Sequence, residues 1–317
     1  MSKSFEPEGR ATLRAELNGL TTEAIDPRYA ELDSYSTMEL VAAMADEESS
    51  VPTAVEQAKE QIVTAVDGIV ERMRRGGRLI YCGAGTAGRM GVLDASECPP
   101  TFGTDPSLVV GIIAGGYGAI RHAVEDAEDD RGAARTDLAA LTITEVDTVV
   151  GLSASGRTPY VVAALEYCRA QGALTIAVAC NRDSDTGRVA ELQIDVIVGP
   201  ELITGSTRLK AGTAQKLVCN ALSTLSMIRL GKTYGNLMVD LQATNAKLRA
   251  RSERTIMLAA GVDGDTAAAA LTDADDSVKK AILMLTTGLD ADQARDQLER
   301  HRGFLRDAID ASVPAQD

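Results

Sequence analysis

The chain has 317 residues, of which 45% are hydrophobic and 25% charged, as is ordinary for a folded globular protein. Its 32 basic and 46 acidic residues give a formal net charge of −14. Nucleic acids and anionic membranes attract lysine and arginine, so this charge argues against both as partners. With no tryptophan and three phenylalanines, the core is expected to be aliphatic.

The five cysteines and two histidines form no pattern typical of a metal site. We therefore expect no metal and reduced, buried thiols, which favours a cytoplasmic location. The first residues contain no apolar run of the secretory type, and no stretch reaches the length of a membrane span. Residues 1–20 are polar and are expected to form a flexible tail.

Two helices are predicted after this tail. Apolar residues recur at three- and four-residue steps in STMELVAAMADEE, from Ser36, and in TAVEQAKEQIVTAVDGIVERM, from Thr53. Ser36 and Glu39 have the spacing of a capping box, which predicts a helix start. Gly76 and Gly77 are expected to end the second helix.

Short aliphatic runs then alternate with helical segments up to Pro200. Continuous apolar strands separated by helices are typical of a parallel sheet covered on both faces, so we predict a doubly wound α/β fold. Between the second and third strands, residues 119–141 are predicted to be helical. The five predicted strands are RLIYCG, LVVGIIAGG, TVVGLSAS, LTIAVACN and LQIDVIVGP.

Beyond Pro200 the chain is predicted to be mostly helical. Long amphipathic patterns cover residues 206–231 and 235–261, and short helical pieces rich in Ala, Asp and Leu follow. The predicted organisation is a tail over residues 1–20, an α/β domain with N-terminal helices over 21–255, and a small helical module over 256–317.

A glycine-rich turn follows the first predicted strand. Gly83, Gly85 and Gly88 have the G-x-G-x-x-G spacing of dinucleotide-binding turns. A dinucleotide fold also needs an acidic residue at the end of the next strand, but that strand ends in IIAGG. The glycines still let backbone N–H groups approach an anion at a helix start. The sequence thus argues against a nicotinamide cofactor and leaves a phosphate site open.

A second turn of the same kind follows the third strand. Residues 153–158 read SASGRT and offer hydroxyls and amides at another helix start. Ligands of such sheets lie beyond the carboxyl ends of the strands, so two such turns favour a site for a phosphate monoester over turns without a ligand. Arg89 and Arg157 each follow a glycine and could bind the phosphate or pair with a nearby acid.

Longer motifs, spread from about Leu20 to about Ile309, resemble the N-acetylmuramic acid 6-phosphate etherase family of the SIS sugar-phosphate-binding fold. They are GAGTAGRMGVLDASECPPTFG, AVEDAEDD, GLSASGRTPYVVAALEYCRAQG, ITGSTRLKAGTAQKLVCNALST, GKTYGNLMVDLQATNAKL and LDADQARDQLERHRGFLRDAI. Two residues depart from the family pattern. Ala87 stands where the family commonly has serine, which removes one hydroxyl, and Asp26 stands where it usually has asparagine.

The resemblance implies a cytoplasmic carbon–oxygen lyase of cell-wall amino-sugar recycling, acting as a homodimer without a cofactor. Such an enzyme cleaves the D-lactyl ether of N-acetylmuramic acid 6-phosphate by elimination and rehydration, giving N-acetylglucosamine 6-phosphate and D-lactate. By motif, Glu97 is the general acid and Glu128 the base on carbon 2. Stiff, apolar neighbours suit an acid at Glu97, although the residues alone also fit an ordinary loop carboxylate. Glu128 lies in an acidic run that is usually a solvated helix face.

The candidate ligand-binding residues belong to the two turns or to the start of the long helix after Pro200. They are Gly85, Thr86, Gly88, Arg89, Ser153, Ser155, Arg157, Thr158, Ser206 and Lys210. Lys216 is interpreted as structural and His122 has no assigned role. Two other functions stay open on this fold. A non-catalytic regulator that binds sugar phosphates would lack the acid pair, and a sugar-phosphate isomerase would release no lactate.

Overall fold

The computed structural model describes residues 17, 19–124, 126–241 and 245–312. They pack as two compact units, one formed by the chain up to Ala95 with Val109–Leu222, the other by Ser96–Leu108 with the chain from Ser223 onward. The predicted tail over residues 1–20 lies mostly outside the described residues, and the predicted division after residue 255 remains a prediction. Within the described ranges, no helix is long and apolar enough to cross a membrane.

The first unit contains a parallel sheet with helices before and between its strands. Its elements, two of which extend into the second unit, are α1 (Thr37–Glu48), α2 (Val51–Gln57), α3 (Lys59–Arg74), β1 (Leu79–Gly83), α4 (Gly85–Phe102), β2 (Val109–Ile113), α5 (Gly118–Arg121), α6 (Arg131–Ala139), β3 (Thr148–Leu152), α7 (Pro159–Ala170), β4 (Leu174–Ala179), α8 (Asp185–Val189), β5 (Leu192–Asp195) and α9 (Lys210–Arg229).

All five predicted strands are confirmed, and they form one parallel sheet in the order β2-β1-β3-β4-β5. Leu79 at the start of β1 is in register with Val109 of β2 on one side and Thr148 of β3 on the other. The strand order therefore reverses between β1 and β3. At such a point the loops that follow the two strands diverge and leave a crevice at their carboxyl ends.

The core of this unit is aliphatic, as its composition predicts. Every residue of β1, β3 and β4 is buried, because helices cover both faces of the sheet. On one face α7 packs Val161 and Leu165 against the sheet, and both side chains are fully buried. Burial of one such side chain contributes about 1.5–3 kcal/mol, so this packing fixes where the strand ends lie.

Two predicted helices differ in the structure. The capping box at Ser36 is confirmed and starts α1, but the helix predicted from Thr53 is interrupted at Ala58, where α2 ends and α3 begins. The continuous helix predicted over residues 119–141 was wrong. That segment contains the single turn of α5, a 3-10 turn over Ala127–Asp129, and α6. Asp126 has a φ of +64°, which a helix cannot accommodate.

The second unit is mainly helical around its own apolar core. The pattern over residues 235–261 was only partly right, because a two-stranded hairpin turning at Gly235 precedes the helix, which begins after Asn245. Gly235 has a φ of +57°, which favours glycine at such a turn. The elements that lie entirely in this unit are β6 (Thr233–Tyr234), β7 (Leu237–Met238), α10 (Ala246–Ala260), α11 (Gly264–Asp273), α12 (Val278–Thr287), α13 (Ala291–Arg300) and α14 (Leu305–Ser312).

Candidate active site

A cleft of about 320 Å³ opens in the first unit where the strand order reverses. The loops after β1 and β3 form two of its walls, and the segment around the start of α9 contributes a third. The two turns singled out in the sequence therefore share one cavity. The predicted residues that line it are Gly85, Thr86, Glu128, Ser153, Ser155 and Thr158.

The glycine turn after β1 brings backbone N–H groups to the cleft. Gly85 has a φ of +53° and begins α4, so the free amides of that helix start lie at the cavity. A Cβ on Gly88 would lie 2.7 Å from the carbonyl oxygen of Gly83, which makes glycine necessary where the turn folds back on the strand. A helix start of this kind attracts anions.

The serine-rich turn after β3 is held in shape by its own hydroxyls. The Ser153 hydroxyl accepts a hydrogen bond from the Gly156 N–H at 3.0 Å and lies 2.8 Å from the Thr158 hydroxyl. The Ser155 hydroxyl accepts one from the Arg157 N–H at 3.2 Å. Ser153 is buried and Ser155 half-buried. The turn thus offers polar groups at the start of α7 without loss of its own geometry.

Asn181, just after β4, holds this turn in place by hydrogen bonds to its backbone. Its side-chain amide donates to the carbonyl oxygens of Ala154 and Ser155 and to the hydroxyl of Thr22, at 3.0–3.3 Å. Its Oδ1 accepts from the backbone N–H of Thr21 at 2.7 Å. These bonds join the segment before α1 to the serine turn, and the adjoining Glu23 lines the cleft.

The two arginines predicted at the turns are engaged by protein groups. Arg89 donates from Nε to the carbonyl oxygen of Ile120 at 3.1 Å and lines a smaller cavity that shares Glu128 with the cleft. Arg157 lies 3.8 Å from the carboxylate of Asp185, the acid pairing considered for it from the sequence. The described side chains that line the cleft include two carboxylates and neither lysine nor arginine. Hydroxyls, amides and helix starts are therefore the groups available there to an anion.

Five predicted ligand residues lie outside the cleft lining, namely Gly88, Arg89, Arg157, Ser206 and Lys210. Ser206 is half-buried in the segment before α9. Lys210 is buried and paired with the buried carboxylate of Glu47 from α1. Burial alone would raise the pKa of Glu47, but hydrogen bonds from Lys210 and Tyr29 hold it below its ordinary value. The structure thus places Lys210 in an internal ion pair.

The two glutamates occupy different settings. Glu128 is exposed on the 3-10 turn and lines the cleft. Glu97 was predicted in a loop, but it lies on α4 and is exposed, so apolar surroundings do not distinguish it. Pro99 and Pro100 lie within the last turn of the same helix, and because proline has no backbone N–H, neither can donate to the carbonyl four residues earlier. Glu97 belongs to the second compact unit and Glu128 to the first.

Sequence reasoning missed three polar residues that line the cleft. Glu23 comes from the segment before α1, Thr207 from the turn before α9, and Gln215 from α9 itself. No local motif marks Glu23, because contacts across the fold, including those of Asn181, bring its segment to the serine turn. The motif that contains Thr207 and Gln215 was recognised, but its helical periodicity does not show which face meets the cleft.

The sheet order and the cleft at its reversal define an SIS-domain protein. Residues 123–225 match the SIS domain family, and residues 61–169 match the family described as glucokinase regulatory protein N-terminal SIS domain. Whole-chain relatives are more specific. The N-acetylmuramic acid 6-phosphate etherase of Streptomyces avermitilis is 56% identical over 95% of this chain and 97% of its own length. Those of Streptomyces coelicolor and Mycolicibacterium smegmatis are 57% and 54% identical, covering 95% and 93% of this chain and 97% and 99% of their own lengths. The chain belongs to the N-acetylmuramic acid 6-phosphate etherase family.

Proposed function

We propose that this protein cleaves the D-lactyl ether of N-acetylmuramic acid 6-phosphate, giving N-acetylglucosamine 6-phosphate and D-lactate. The observation that carries this function is the 56% identity, over nearly the whole chain, to a protein named for this etherase activity. A cleft lined by hydroxyls and helix starts is chemically suited to a phosphorylated sugar.

The reaction proceeds by elimination and rehydration in the open-chain aldehyde form of the sugar. A base removes the proton on carbon 2, which the neighbouring carbonyl acidifies, and the C–H electron pair forms a double bond to carbon 3. The bond from carbon 3 to the ether oxygen breaks, and the departing lactate oxygen takes a proton from a general acid. Water then adds its oxygen to carbon 3, and carbon 2 regains a proton.

We assign the base to Glu128 and the acid to Glu97. Glu128 is supported by its exposed carboxylate in the cleft wall. Glu97 is supported by its motif and its exposure on α4, the helix whose start forms part of the cleft. We assign the phosphate to the serine turn, because Ser155 and Thr158 present hydroxyls at the start of α7.

Reaction in heavy water tests the function and both roles. The unmodified protein is expected to release D-lactate and to incorporate deuterium at carbon 2. Glu128→Gln should lose both signals by about a thousandfold, since general base catalysis contributes roughly 10²–10⁴. Glu97→Gln should retain deuterium exchange in the substrate while losing lactate release. Asp129→Asn is the matched control, because Asp129 is an exposed neighbour on the same 3-10 turn and does not line the cleft.

Three other results would contradict the proposed function or the assigned base. Binding by the unmodified protein without lactate or exchange would favour a non-catalytic regulator. A changed sugar without lactate would favour an isomerase. If Asp129→Asn were as damaging as Glu128→Gln, the assignment of the base would be wrong.

We further propose that the protein is a cytoplasmic homodimer. The five cysteines are buried and free of disulfides, as expected in a reducing compartment. Helix α1 exposes Met38, Val41 and Met44, of which Met38 is 78% exposed, and an apolar stripe of this kind is typical of an interaction surface. Light scattering should give twice the 33.3 kDa chain mass, and Val41→Glu should shift the mass toward the monomer.

A further inference from the structure

Gln215 is a buried polar residue in the wall of the cleft that the assigned mechanism does not use. It lies in the second turn of α9 and is 1% exposed. Neither its Oε1 nor its Nε2 has a hydrogen-bond partner among the described residues. By contrast, the backbone N–H groups of Lys210 and Ala211 at the start of the same helix both donate to Glu201.

Its neighbours place this amide beside the glycine turn. A Cβ on Gly212 would lie 3.3 Å from Cγ2 of Thr86, so the first turn of α9 passes close to the start of α4. Gln215 is three residues further along the helix and therefore lies on the same side. Thr86 and Gln215 both line the cleft, which puts the amide next to the helix start that faces a ligand.

A buried amide without partners is unfavourable, and an apolar residue of equal size would be tolerated better. A ligand that enters the cleft can supply the missing partners. The amide has two donor hydrogens and one acceptor oxygen. A phosphate only accepts, so it would leave Oε1 unpaired. A hydroxyl both donates and accepts, so hydroxyl groups of the sugar can satisfy both ends of the amide.

We propose that Gln215 is a specificity-determining residue that binds the sugar part of the substrate. Its Nε2 donates to one sugar hydroxyl and its Oε1 accepts from a hydroxyl, while the phosphate is held by other groups. This assignment rests on the proposed function, which supplies a phosphorylated polyhydroxy substrate. It predicts that Gln215 contributes to the recognition of the sugar and little to that of inorganic phosphate.

The test compares Gln215→Met with Thr148→Val. Both substitutions replace a buried polar group that lacks a partner, but Thr148 lies at the start of β3 and does not line the cleft. Calorimetry with N-acetylglucosamine 6-phosphate and with inorganic phosphate gives the two affinities. Gln215→Met is expected to weaken sugar-phosphate binding about 10-fold, or about 1.4 kcal/mol, and to leave phosphate binding unchanged. KM should rise about 10-fold with kcat within about threefold, and Tm should not fall, because no protein hydrogen bond is lost.

Thr148→Val should change none of these quantities. The proposal is overturned if Gln215→Met binds the sugar phosphate as tightly as the unmodified protein, if both affinities fall alike, or if Tm falls while both affinities are kept. If the methionine variant does not fold, Gln215→Asn replaces it in the test. Asparagine keeps the amide but is one methylene shorter, so this variant should also weaken sugar binding. Absence of lactate from the unmodified protein would refute the proposed function instead, and the affinity difference between the two ligands would still decide the role of Gln215.

Discussion

At the scale of single residues, the cleft combines groups that hold a ligand with groups that hold the loops. Ser153, Ser155 and Thr158 all line the cavity and are bonded within their own turn, but Ser153 is buried whereas Ser155 and Thr158 are half-buried. Asn181 does not line the cleft, yet four of its hydrogen bonds fix the segments that do. The recognised motifs contain the three turn residues but not Asn181, whose supporting role is shown only by its burial and its hydrogen bonds.

Ala87 provides a test at this scale. It lines the cleft and is 7% exposed, so a hydroxyl added there would face the ligand. Ala87→Ser is expected to lower KM about threefold, because one hydrogen bond contributes roughly 0.5–1.5 kcal/mol. Steady-state kinetics measure this change, and Tm should stay the same. An unchanged or higher KM would show that the lost hydroxyl has no partner on the substrate.

At the scale of elements, two ion pairs with buried carboxylates join segments far apart in the sequence. Arg78 before β1 is bonded to Asp147 before β3, with an Nη2–Oδ2 distance of 2.8 Å. Lys210 at the start of α9 is paired with Glu47 of α1. Both carboxylates are buried. Loss of Arg78 would leave Asp147 without its cation, whereas loss of Lys210 would leave Glu47 with Arg28 as its remaining cationic partner.

Substitutions in the Lys210–Glu47 pair test whether Lys210 is a structural residue or a ligand of the phosphate. Lys210→Met is expected to lower the free energy of unfolding by about 3 kcal/mol, because Glu47 would lose a charged partner inside the protein. Glu47→Met combined with Lys210→Met should recover most of that loss. Denaturant titration of the two single variants and the double variant measures the coupling. If the stable double variant had a KM raised tenfold or more, Lys210 would bind the phosphate after all.

The Arg78–Asp147 pair should shape the acid stability of the protein. Burial alone would raise the pKa of Asp147, but hydrogen bonds from Arg78 and Thr144 hold it below its ordinary value. Its stabilisation is therefore present above the unfolded pKa of about 3.9 and is lost as the pH falls through the lower folded value. Asp147→Asn should cost about 2 kcal/mol at pH 7 and flatten the decline in stability below pH 4. An equally steep acid decline in the variant would contradict this.

Part of the fold and of the cleft could be predicted from the sequence. Apolar runs identified all five strands, because strands buried on both faces read as continuous aliphatic segments. Residues 119–141 were misassigned because their composition favours a helix throughout. The left-handed backbone of Asp126, which interrupts the helix, is not predicted by any local sequence pattern. The two turns were predicted because closely spaced glycines and serines after an apolar strand are a recognisable sequence pattern. Glu23 and Gln215 were not, because their place depends on contacts across the fold.

At the scale of the whole molecule, the reactivity of the cysteines measures whether the protein is folded. All five are buried, and burial raises the pKa of Cys168 and of Cys180 to about 12. Thiolates are the reactive form, so native protein at pH 8 should titrate fewer than about one thiol per chain with a chromogenic disulfide. Guanidinium should expose all five. Rapid reaction of a thiol in the folded protein would reveal local opening around it.

The lining of the cleft runs along the chain from Glu23 to Gln215. A ribosome releases these segments one after another, so both turns and Glu128 emerge well before the wall that α9 contributes. A nonsense or frameshift mutation between codons 158 and 215 would leave both turns and Glu128 in the product without the complete cavity. Such fragments are expected to be inert, and selection on the gene should therefore treat an early and a late truncation within this span alike.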